Sequence, residues 1–164
     1  MHWLLLWPGE LIQAFMSVGI FLFGLFTAIL LSYQINFNIY GITSGLIWGA
    51  ANAISLSAIS NLGLSRTTPI LSGIVIIGSF LWGALVFNEL PAGIIAGMIG
   101  IILIVLGIII VTARGKDQSK SAKRGVILAI TAGLLFSSQL VPIKIANLSP
   151  TVSFFPLSFG IVLF

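Results

Sequence analysis

Hydrophobic positions along the chain neither alternate in twos nor gather in narrow stripes; they run in long apolar blocks separated by short clusters of turn residues. Six blocks are read, at about 11–33, 41–62, 69–88, 92–113, 125–147 and from 151 onward. The first five reach the roughly 20 apolar residues that a helix needs to cross a bilayer core. Barrel strands would alternate polar and apolar positions, whereas helices satisfy their own backbone in lipid, so the blocks predict helices. Breaks fall at "QINFN", "NLGLSRTTP", "NELPAG" and "NLSP", where Asn, Gly, Ser and Pro interrupt the runs. Pro69, Pro91 and Pro150 each stand near an expected helix start, where a missing N–H is harmless, and Ser65 or Thr67 is placed to cap the helix after "SRTTP". The last block, 14 residues, reaches only about 21 Å at about 1.5 Å per residue, short of a hydrocarbon core of about 30 Å. The expected fold is an all-α polytopic membrane protein with about five full transmembrane helices and a truncated sixth.

Composition agrees with a bilayer setting. Hydrophobic residues make up 59% of the 164 and charged residues 6%, against about 25% charged in soluble domains. Charge then reports orientation. Tracked through successive crossings, Glu10, Arg66 and the segment "ARGKDQSKSAKR" fall on one side, and Glu89 and Lys144 on the other. The first side holds six of the seven basic residues, so residues 114–124 are expected to form a basic cytoplasmic loop of a multi-pass protein in the cell membrane. That loop reads as a solvated connector. No basic face with interleaved aromatics points to nucleic acid. Cysteine is absent, which excludes disulfides and thiolate chemistry. The opening "MHWLLLWPG" lacks the basic start and small-residue cleavage site of a signal peptide, leaving the first spanning helix to direct insertion.

Catalysis finds no support in the residues. His2 is the only histidine, no Asp lies within a block, and no serine has a His or Lys base at a helical offset. The chain is therefore read as no enzyme, with no catalytic residue, no metal site and no cofactor.

The polar residues within the blocks share faces. Ser44, Trp48, Asn52 and Ser55 stand at i, i+4, i+8 and i+11 of the second block, which places them on one side of a helix. Gly41, Gly45 and Gly49 form a four-residue stripe partly beside that face, suited to close approach of another helix. In the first block Gln13, Ser17, Gly24 and Thr27 share a face, and in the third Ser72, Ser79 and Gly83 do so with Gly73 beside them. Stripes of this kind mark helix packing in general, but an amide at mid-membrane depth needs partners. Asn52 can offer donors and an acceptor to a polar solute, and Trp48, one turn away, a stacking surface. Gln139, nearer the end of the fifth block, is a similar candidate. Lys144 is expected to snorkel to the interface and Pro142 to kink its helix. Arg66 and Glu89 bracket the third block as interfacial anchors, and Glu89, a lone carboxylate at a helix end, is also a candidate for proton exchange.

A weak internal repeat accompanies this pattern. Residues 149–164 laid over 8–23 share the ending Gly-Ile-(Phe/Val)-Leu-Phe and a Ser two residues before it. Residues 1–113 then read as helices two to five of a first five-helix repeat, and 125–164 as the start of a second.

Residues 41–91 are similar to the glucose/ribose porter family of the drug/metabolite transporter superfamily. Its pattern runs close to G-x-x-W-a-x-G-Q, then G-V-S-x-T-x-P-I-S-x-G, then G-x-x-x-F-x-E-W. The sequence supplies Gly45 and Trp48; then Gly63, Ser65, Thr67 or Thr68, Pro69, Ile70, Ser72 and Gly73; then Gly83, Phe87 and Glu89. The family's Gly-Gln is here Ala51-Asn52, which keeps an amide, and its Glu-Trp is Glu89-Leu90, which loses an aromatic. Including the order of later blocks, the resemblance covers about residues 41–147. It implies a partial inverted-repeat transporter, a sugar solute and a proton gradient as driving force. Substrate contacts would fall to Trp48, Asn52, Ser55, Ser72, Ser79 and Gln139, coupling or gating to Arg66 and Glu89, and helix packing to Gly41, Gly45, Gly49, Gly73 and Gly83. Six blocks against ten suggest a fragment, whose partners would be the bilayer, the solute, H+, and either a second copy or the remainder of the transporter. A permease exporting amino acids or other metabolites on the same scaffold, and a non-transporting membrane subunit, are the competing readings.

Overall fold

The apolar blocks fold as helices throughout the described part of the computed structural model, residues 9–30, 37–89, 93–113 and 122–164. They are α1 (Gly9–Leu30), α2 (Ile39–Leu62), α3 (Leu64–Leu81), which continues as a π-helical turn over Trp82–Val86, α4 (Gly93–Ala113), α5 (Ala122–Ser138), α6 (Val141–Ile145) and α7 (Pro150–Leu163). No strand occurs among the described residues. Five spans, Leu11–Leu30, Ile39–Leu62, Leu64–Val86, Gly93–Ile110 and Ala122–Ile145, are long and apolar enough to cross a membrane. The chain is a multi-pass helical membrane protein. The "QINFN" break up to residue 36, Pro91 and the basic stretch 114–121 lie outside the described residues, but Lys123 and Arg124 already belong to α5.

The helices form two units, one from Met1–Ala53 with Gln139–Phe164 and the other from Ile54–Ser138. In the first, α7 packs on α1 and on the opening turns of α2 through glycines. A Cβ added at Gly24 would meet Ser158 and Phe154, and one added at Gly41 would meet Pro156. At Gly45 it would stand 2.1 Å from the Leu157 carbonyl, and at Gly160 2.3 Å from the Ile42 carbonyl. The obstacle there is backbone, which cannot swing aside as a side chain can. Only glycine permits that approach. Gly49 completes the stripe against Phe164. Aromatic edges close the gaps elsewhere, with Phe21 and Phe37 each against both Phe155 and Phe159. Asn38 caps α2, its Oδ1 accepting the Gly41 N–H at 2.6 Å.

The second unit is built on α3, which packs mainly on α5 and secondarily on α4. The inner face of α5 is small at Gly125, Ala129, Ala132, Gly133 and Ser137. A Cβ at Gly133 would meet Ile74 and the Leu71 carbonyl, and one at Gly78 would meet Ser137. Helix α4 touches α3 along a single edge, with Gly97 under Phe80 and Ile104 and Ile108 over Gly73.

Three expectations about element ends need correction. Pro69 does not open the third helix; α3 begins at Leu64 and holds Pro69 inside it. Its N-cap is Gly63 at φ 84, with no side-chain cap bond. Neither Ser65 nor Thr67 caps the helix, because a single left-handed glycine turns the chain from α2 into α3 and leaves no loop for a capping residue. Thr67 instead turns back, its N–H and Oγ1 both donating to the Gly63 carbonyl at 3.1 and 2.8 Å. The fifth block is not one helix either. It breaks after Ser138 and resumes at Val141, because Pro142 has no N–H to offer the Ser138 carbonyl four residues back and its ring crowds that carbonyl. Finally, α3 ends in a widened turn, Phe87 N–H donating to Trp82 O and Glu89 N–H to Gly83 O. Asn88 at φ 50 makes that reversal, as Asn147 at φ 50 does after α6.

Candidate functional site

Buried polar side chains inside apolar helices are the groups that need explaining, since lipid offers them no partner. Among the described residues helix α2 carries the largest set, with Ser44, Asn52 and Ser55 all buried and Trp48 half-buried. Ser44 is fully enclosed, and its Oγ has no hydrogen-bond partner among the described residues.

Asn52, 8% exposed, is the best-defined group. Its Nδ2 donates to Gln13 Oε1 on α1 and lies 4.0 Å from Met16 Sδ. Gln13 in turn directs its Nε2 at the Gly49 carbonyl, 3.5 Å away. The approach is possible because Gln13 and Ser17 lie one turn apart on the same side of α1, the side on which Ser17, Gly24 and Ala28 are buried. A pair of amides thus bridges α1 and α2 within the first unit, one turn from Trp48. Such a pair offers neutral donors and acceptors and no charge.

The remaining sequence candidates are distributed as follows. Trp48, Asn52 and Gln139 belong to the first unit, and Ser55, Ser72, Ser79, Arg66 and Glu89 to the second. Gln139 lies in the turn between α5 and α6, its Oε1 buried without a partner among the described residues. Ser72 and Ser79 are exposed, while the neighbouring Gly73 and Gly78 take the packed face of α3. Arg66 stands half-buried in the first turn of α3, and Glu89 is exposed just beyond its π-helical end. Gly83 belongs to that widened turn, with the Glu89 carbonyl 3.5 Å from where its Cβ would stand. Trp82 Nε1 donates to Ser138 Oγ at 3.1 Å, pinning the end of α3 to the last turn of α5. Among the described residues no group of His, Asp and Glu could hold a metal ion.

Gln13 was not among the sequence-derived site residues. The signal was present, because it is the only amide in the first apolar block before the "QINFN" break, but its partnership with Asn52 crosses 39 positions of chain and no periodicity connects them. The small face of α5 was equally legible in the spacing of Gly125, Ala129, Gly133 and Ser137.

Residues 11–164 match the family described as sugar transport protein. Among curated proteins, the Glucose uptake protein GlcU of Bacillus subtilis (strain 168) is 30% identical over 131 residues, 76% of this chain and 46% of that protein. The Glucose uptake protein GlcU of Staphylococcus xylosus is 28% identical over 88 residues, 52% of this chain and 31% of that protein. The chain spans about half the length of the first of these relatives, or 46%. No solved structure matches it.

Proposed function

Since the chain belongs to the sugar transport protein family, we propose that it forms part of a sugar uptake carrier, with a glucose- or ribose-like solute held in the membrane beside α2. The observation that carries the reading is the buried amide of Asn52, one turn from Trp48, on a helix whose only other amide, Asn61, stands in its last turn. Sugars are neutral, present hydroxyls on their edges and C–H groups on their faces, and are matched by an amide next to an aromatic ring. A charged solute would need a buried counter-charge, and among the described residues the buried polar ones are Ser, Thr and Asn. That favours a sugar over an amino acid as cargo. Uptake proteins named for glucose among the relatives support the same class of solute.

Transport proceeds in this reading by alternating access in the cell membrane, with residues 114–124 on the cytoplasmic side. Gln139, in the same unit as Trp48 and Asn52, supplies a further amide contact. Arg66 and Glu89 at the ends of α3 serve gating and coupling to H+. Proteoliposomes containing the complete carrier of which this chain forms part are expected to take up labelled glucose or ribose saturably, faster when the interior is alkaline. Asn52→Leu should lower uptake by at least about tenfold, the worth of roughly one well-made hydrogen bond to solute, while Glu89→Gln should leave uptake indifferent to the pH gradient. Uptake that Asn52→Leu does not change would sink the assignment.

A further inference from the structure

The two amides between α1 and α2 are ordered in one direction, and the order is set from the backbone. The Gly49 carbonyl can only accept, so Gln13 must turn its Nε2 toward it. That leaves Gln13 Oε1 facing α2, where it accepts from Asn52 Nδ2. The same Nδ2 lies 4.0 Å from Met16 Sδ, also an acceptor. Both N–H groups of Asn52 therefore point at α1. Reversing Asn52 alone would set its Oδ1 against the Gln13 oxygen and the Met16 sulfur, and reversing Gln13 as well would set its oxygen against the Gly49 carbonyl. Either arrangement faces acceptor with acceptor in a low-dielectric setting.

We propose that Gln13 is a positioning residue that fixes the polarity of Asn52, so that Asn52 meets the solute with its carbonyl oxygen and selects a sugar hydroxyl acting as hydrogen-bond donor. An amide oxygen has two lone pairs, so it accepts from solute in addition to any bond within the protein. The inference rests on the sugar-uptake reading and adds to it which edge of Asn52 reads the cargo and what holds that edge in place.

The test is affinity for glucose and for each of its mono-O-methyl ethers, measured by ligand-dependent thermal stabilisation of the full protein. O-Methylation removes a donor and keeps an acceptor. The wild-type protein is expected to lose about tenfold in affinity for one ether, as the loss of a hydrogen bond worth about 1.4 kcal/mol requires. In Gln13→Leu and in the volume-conserving Gln13→Met, the amide oxygen that accepts from Asn52 Nδ2 is lost, and the preference should shrink to within about twofold. Folded Leu or Met variants that keep the tenfold preference overturn the proposal, even if their overall affinity falls. A wild-type protein that binds glucose and all its ethers alike also overturns it. If no sugar binds the wild-type protein, the sugar reading itself fails, and that is seen before any substitution is made.

Discussion

Individual residues settle where this chain turns. Gly63 at φ 84 joins α2 to α3 without a loop, and a residue with a Cβ strains that conformation. Gly63→Ala is expected to lower the stability of the protein by about 1 kcal/mol or more, read as a reduced midpoint of thermal unfolding in detergent. Gly19 lies in a right-handed helix with nothing within 4 Å of its added Cβ, so Gly19→Ala should be neutral or stabilising by up to about 1 kcal/mol. The contrast tests backbone conformation separately from loss of glycine. Asn88 and Asn147 do the same turning work at the ends of α3 and α6. Their role was visible in "NELP" and "NLSP" as turn signals, whereas the role of Gly63 was hidden behind Pro69, which carries the stronger start signal by type but stands within a helix that had already begun.

At the level of elements, small residues decide which helices can touch. The stripe Gly41, Gly45 and Gly49 was legible from spacing alone, but spacing could not say that α7 is the helix lying on it. Gly160 is the partner half of that contact, and its added Cβ would stand 2.3 Å from the Ile42 carbonyl. Gly160→Ala must therefore push α7 away from α2, at an expected cost of about 1–3 kcal/mol, with a matching fall in the unfolding midpoint. Helix existence was readable throughout because apolar length is a strong signal in membrane chains. Helix ends were read less well, since the break after Ser138 and the π-helical turn at Trp82–Val86 depend on local backbone bonding that leaves no periodic mark. On α3, periodicity put Ser72 and Ser79 on one face, and packing against α4 and α5 chose Gly73 and Gly78 instead.

For the whole molecule, the proposal makes claims about sides and cargo. The chain contains no cysteine, so single cysteines report accessibility without background. Ser119→Cys, outside the described residues, is expected to react with a membrane-impermeant maleimide only from the cytoplasm, and Ser149→Cys, exposed at the start of α7, only from the opposite face. Labelling of both from one side would contradict the orientation drawn from the basic residues. Cargo is the central claim, and it rests on one face of α2. Thermal stability of the purified protein, screened against glucose, ribose and a panel of amino acids, tests it most directly, with Trp48→Ala and Asn52→Leu as controls. The account predicts a saturable upward shift with a sugar that both substitutions erase. A shift with amino acids alone, or a sugar shift that survives both substitutions, would contradict it.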